Sequence, residues 1–177
     1  MRTLALTYMS IHILIDRCLT NGTLCVLHPS STAIRVKRII YLSPTILEFV
    51  GRDDFRSSRL LAELEAFIAG DSVSISMVPR NARKAMVGLL APIENGFFDY
   101  RSRAPRPGLR LLGGFARRDC FIGLGLHLRP KMHEAEWRTA IHECDLAWSE
   151  RFGNCLPMMT GVDPSDYLSN YVSLDRI

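Results

Sequence analysis

Two periodicities run along this chain, and the places where one gives way to the other mark its elements. Residues 34–42 (IRVKRIIYL) are rich in β-branched side chains and predict a strand. Ser43 and Pro44 then open a helix, the serine capping and the proline taking the first helical position, and Gly51 closes it. Residues 57–69 predict a longer helix, because Leu60, Leu61, Leu64, Phe67 and Ile68 form one stripe and Gly70 follows as a stop. Residues 72–77 alternate strictly, Val73, Ile75 and Met77 against three serines, as a half-buried strand does. Between 79 and 90 the spacing of Ala82, Met86 and Leu89 returns to the helical period, interrupted by Gly88.

After the turn signal Asn95-Gly96 come three predicted strands, 97–103, 109–116 and 120–128. A loop with Pro105 and Pro107 and a tight turn at 117–119 join them, and such short links make an antiparallel meander. In the third strand Cys120, Ile122, Leu124, Leu126 and Leu128 share one face. Phe121, Gly123, Gly125 and His127 share the other, with Arg129 next in phase. Paired glycines in a strand mark a close approach, either of a packed helix or terminal extension or of a ligand in a groove. Residues 134–152 predict the last helix, with Trp137, Ala140, Ile141, Cys144, Ala147, Trp148 and Phe152 recurring so as to cover the sheet.

The pattern therefore predicts an α+β domain over 34–152, a small antiparallel sheet covered by helices. An N-terminal extension, 1–33, carries a strand candidate at 23–27. An acidic tail, 153–177, docks through Tyr167, Leu168, Tyr171, Val172 and Leu174. The apolar run 4–15 contains His12, is followed by Asp16 and Arg17 without a small-x-small cleavage site, and is too short to span a bilayer, so no membrane segment is expected.

Composition narrows the chemistry. At 177 residues and 47% hydrophobic, the chain can bury a core as one domain. Its five cysteines form no C-x-x-C pair, and Cys120 and Cys144 fall at apolar positions, which points to reduced thiols in a cytoplasmic protein. No phosphate-cradling glycine loop, dinucleotide fingerprint, nucleophile elbow or H-E-x-x-H occurs. His142-Glu143 lacks a second histidine at the required spacing, so neither a metal nor a cofactor is expected.

Charge is polarised. Residues 97–131 carry a net +6, residues 132–177 a net −5 and residues 1–96 a net +3. Between Arg101 and Arg118 lie six arginines and no acid: Arg101, Arg103, Arg106, Arg110, Arg117 and Arg118. Guanidinium forks bind phosphate and carboxylate bidentately, so a surface of this kind suits a polyanion or an acidic protein. Asp99 shares a strand face with Arg101 and Arg103, where a local ion pair would temper the patch. The tail acids Asp163, Asp166 and Asp175 are placed either against the arginine face, in the same chain or across a homodimer, or with the tail against the helices.

The order of elements resembles the RelE/ParE/HigB-like toxin superfamily over about residues 34–152. The resemblance is carried by GFFDYRSR, GLRLLGGFAR, DCFIGLGLHLRPK and the covering helix EWRTAIHECDLAWSERF. It places Tyr100-Arg101 in the family's first arginine-bearing strand segment and Leu109-Arg110-Leu111 in the second. His127-Leu128-Arg129-Pro130-Lys131 falls in the basic end of the third strand. The implied function is a toxin acting on RNA at the ribosome as a metal-independent endoribonuclease, with a cognate antitoxin as partner. Other branches of the superfamily act on DNA gyrase. In the cleaving branch Arg101 and Arg110 would stabilise the scissile phosphate, and His127 beside Arg129 would transfer protons. Arg103, Arg106, Arg117, Arg118 and Lys131 would hold the nucleic-acid backbone. Two other classes fit the same residues. One is a non-enzymatic module of a mobile element gripping an acidic protein; the other is a small-molecule enzyme with a pocket floored by Gly123 and Gly125.

Overall fold

The middle of the sheet follows directly from the alternation in residues 97–128. In the computed structural model, which describes residues 10–79, 84–128, 134–158 and 163–175, three strands pair consecutively there as antiparallel neighbours. They are β5 (Phe97–Ser102), β6 (Leu109–Arg117) and β7 (Cys120–Leu128). Around them the described residues add β1 (Cys25–Val26), β2 (Ile39–Leu42), β3 (Val73–Ser76), β4 (Val87–Leu89) and β8 (Tyr171–Ser173). Four helices complete the set: α1 (Ile11–Thr20), α2 (Pro44–Val50), α3 (Phe55–Ala69) and α4 (Glu134–Phe152).

The fold is α+β, but the sheet is neither small nor wholly antiparallel. Its eight strands lie in the order β1-β2-β7-β6-β5-β4-β3-β8. β2 runs parallel to β7, and β3 runs parallel to both β4 and β8. Two cores account for its burial on both faces. On one face α2, α3 and the tail residues Tyr167 and Leu168 cover Ile40, Ile75, Phe98, Leu111 and Phe121. On the other, α1 and α4 cover Phe97, Leu112 and Ile122 through Leu14, Ile15, Ile141 and Trp148.

Local chemistry fixes the helix ends. The Asp54 carboxylate accepts from the Arg56 and Ser57 backbone N–H groups and so starts α3 two residues before the expected position. Gly70 ends it in the left-handed conformation at φ 83°. Residues 87–89 form a strand and not the end of a helix, because Val87, Gly88 and Leu89 pair with Tyr100, Asp99 and Phe98. Positions 80–83, also within the expected helix, lie outside the described residues. The extension contributes α1, packed on α4, and β1, paired with β2.

The strict parity expected of β7 does not hold. Leu112 pairs with Gly125 but Gly113 pairs with Gly123, so Leu124 is an extra residue in a bulge. The backbones crowd there, since a Cβ on Gly113 would stand 1.8 Å from the Ile122 carbonyl oxygen. Beyond the bulge the faces exchange. Ile122 and Leu124 pack towards α4, whereas Leu126 packs towards α2 and α3.

Candidate functional site

The register that buries the meander also aligns its basic residues. Arg101 on β5 lies opposite Arg110 on β6, and Arg110 lies opposite His127 on β7, so three of the expected site residues form a row across adjacent strands. The bulge is what brings His127 to this face, by turning the second half of β7 over. Gly125, two residues earlier, gives the imidazole room, because a Cβ there would stand 3.1 Å from His127 Nε2.

Asp99 organises the row. It is fully buried, and it accepts from Arg101 Nε at 2.8 Å and Nη2 at 2.7 Å as a two-pronged pair. Arg110 Nη1 donates to the same carboxylate. The Arg101 side chain is 4% exposed and Arg110 16%. Above Arg110 the Trp137 ring of α4 lies 4.9 Å from the guanidinium carbon, within cation–π range. Burial holds the His127 imidazole below its ordinary value of 6.5, and the nearby Glu143 on α4 opposes this. The unprotonated form is therefore favoured near neutral pH. Two buried atoms of the row, Arg101 Nη1 and His127 Nε2, meet no hydrogen-bond partner among the described residues.

The remaining arginines separate into two groups. Arg103 and Arg106 are exposed where β5 passes into β6, and Arg103 Nη2 donates to the Lys84 and Ala85 carbonyls. Arg117 and Arg118 are exposed at the opposite end of the hairpin, roughly 23 Å from Arg110 at the rise of an extended strand. The six arginines thus do not make one patch. Arg129 and Lys131 lie outside the described residues.

No family model, curated protein or solved structure matches this chain. What the site can do therefore follows from its own geometry. Arg101 and Asp99 are interior groups that position Arg110, and among the described residues the accessible cations at this end include Lys84, Arg103, Arg106 and the partly covered Arg110. Gly123 and Gly125 do not floor one pocket, because the bulge sends them to opposite faces. Gly123 meets the Leu111 side chain and Gly125 meets His127 and Leu112. Of the tail acids, Asp175 lies away from the row. Asp175 accepts from Ser76 Oγ and the Met77 N–H at the far edge of the sheet, and Asp163 caps the turn at Ser165. Among the described residues, no group of three or more His, Cys, Asp and Glu side chains is placed to hold a metal ion. No described helix is long and apolar enough to cross a membrane.

Sequence reading signalled the Asp99 pair through strand parity. It missed Trp137 as the partner of Arg110, since its place in the apolar stripe gave it only a packing role.

Proposed function

We propose that the protein binds single-stranded RNA along the Arg103–Arg106–Arg110 end of the β5–β6 hairpin. The observation that carries the reading is the Arg110–Trp137 stack, half-buried and locked from below by Asp99, beside two exposed arginines. Guanidiniums hold phosphates bidentately, and an aromatic face beside them stacks a base, the combination single-stranded nucleic acids use. The RelE-like resemblance of this segment favours RNA over other polyanions. In this reading Arg110 and the exposed arginines touch the backbone, and Arg101 and Asp99 are positioning residues. Proton transfer by His127 would require its buried Nε2 to reach the surface, so the proposal is binding, with cleavage a separate assay.

The test is fluorescence anisotropy with a labelled short oligouridylate across a salt series. Affinity should fall linearly on a log–log plot, and Arg103→Gln and Arg106→Gln should each lower the slope by about 0.7. Arg117→Gln with Arg118→Gln, at the other end of the hairpin, should leave binding unchanged. Salt-independent binding, absent binding, or equal loss at both ends would overturn the reading.

A further inference from the structure

The sheet has a notch in it. β2 accompanies β7 only as far as the pair Leu42–Gly123, and the last bond between the two segments runs from the Ser43 N–H to the Gly123 carbonyl at 3.2 Å. The chain then turns into α2, while β7 continues to Leu128. From Leu124 onward β7 has β6 on one side and, among the described residues, no strand on the other. α2 forms one wall of the gap that remains, and Arg151 near the end of α4 stands at the other.

The gap is a cleft of about 500 Å³. Ile46 and Phe49 of α2 and Leu124 and Leu126 of β7 give it an apolar lining, and Arg52 and Arg151 supply two guanidiniums. No acid lines it. Arg151 is already oriented, since its Nε donates to the Thr23 carbonyl and its Nη1 to the Ala147 carbonyl. Arg52 rests over the Phe49 ring at 5.3 Å and reaches Glu48 only at 3.7 Å, in a pair exposed on both sides. Such an exposed pair contributes little and gives way to a better-placed anion. Volume, apolar walls and a few convergent polar groups are what small-ligand sites share, in a size range of roughly 300–1,000 Å³.

We propose that this cleft binds a small amphipathic anion, an apolar body lying on Phe49, Leu124 and Leu126 with a carboxylate or phosphate head between Arg52 and Arg151. The site is separate from the Arg101–Arg110–His127 row and does not depend on the RNA reading. Ligand-observed NMR and calorimetry on the whole chain test it, with octanoate, hexyl phosphate and 1-octanol as ligands. Both anions should bind, and the neutral alcohol should bind about tenfold more weakly, the share of one charge-assisted contact. Arg52→Gln should weaken both anions about tenfold while leaving the alcohol unchanged. Thr45→Trp, at an exposed position on the rim, should block all three. Whichever anion binds more tightly identifies the head group, and equal binding supports a site that reads charge alone. Octanol binding as tightly as octanoate, anion binding unmoved by Arg52→Gln or Thr45→Trp, or no binding by any of the three would overturn the proposal.

Discussion

Arg38 and Asp119 meet at 3.1 Å across 81 positions of sequence, and the Arg38 side chain is wholly buried. The same guanidinium donates to the carbonyls of Phe67, Asp71 and Asn170 and lies over the Phe67 ring. One side chain thus ties the start of β2 to the end of α3, the β6–β7 turn and the tail.

Removing that tie should be costly. Arg38→Met strands three carbonyls and a carboxylate, and should lower the unfolding free energy by about 3–5 kcal/mol in urea titrations. Asp119→Asn keeps an acceptor for Arg38 and for the Ser169 N–H, and asparagine tolerates the left-handed backbone at φ 60°. Its cost should be about 1–2 kcal/mol. Equal losses would mean that the ion pair, not the carbonyl network, sets the stability.

At the basic row, Asp99→Asn removes the only carboxylate bonded to the nearly buried Arg101 among the described contacts. The expected loss is about 3 kcal/mol, because the guanidinium stays behind uncompensated. The double variant Asp99→Leu with Arg101→Met should recover part of it. Additive losses in a double-mutant cycle would show that the two side chains are not coupled.

His127 makes stability depend on pH. Its folded value lies below the unfolded 6.5, chiefly through burial. Between those two values the unfolded chain binds more protons, so this contribution is complete above the unfolded value and is lost as pH falls through the window towards the folded one. Urea midpoints should therefore drop between pH 7 and pH 5, and His127→Gln should flatten that slope. Glu143 acts in the opposite sense, so Glu143→Gln should lower the His127 titration midpoint further in NMR.

The thiols should divide by burial. Burial pushes Cys120 up to about 11 and Cys144 up to about 12, and Cys18 is 2% exposed. Cys25 and Cys155 are half-buried, and none of the five is paired. A thiol-exchange reagent at pH 8 should titrate two groups promptly in the native protein and five in denaturant. Fast reaction of a third would show that the packing over Cys18, Cys120 or Cys144 opens in the native protein.

Where neighbours in sequence are neighbours in space, the pattern of residues was informative. The meander, α3, α4 and the chance of an Asp99–Arg101 pair all follow from local period and parity. β4 was not legible, because three residues, Val87–Leu89, carry no period of their own and become a strand only by lying beside β5. The bulge was not legible either. Gly123 and Gly125 hinted at close approach, but only the pairing with β6 reveals that Leu124 is supernumerary. Arg101 read as a surface cation because its burial is decided by α4 and the neighbouring strands, which no alternation along β5 records. The notch beside Leu124 depends on where β2 stops accompanying a strand that comes much later in the sequence.

The order of strands also sets a timetable. As the chain is synthesised from its N-terminus, β4 to β7 can zip together from hairpin to hairpin, each needing only its predecessor. β2 cannot join until β7 exists, since Ile39 pairs with Cys120, and the outer side of β3 waits for Tyr171 to Ser173. Both flanks of the sheet are thus completed late, through parallel pairings that must close long stretches of chain, the kind of topology that slows folding. While a ribosome holds the chain short of those residues, β3 presents an unsealed edge, open to pairing with another chain or to a chaperone.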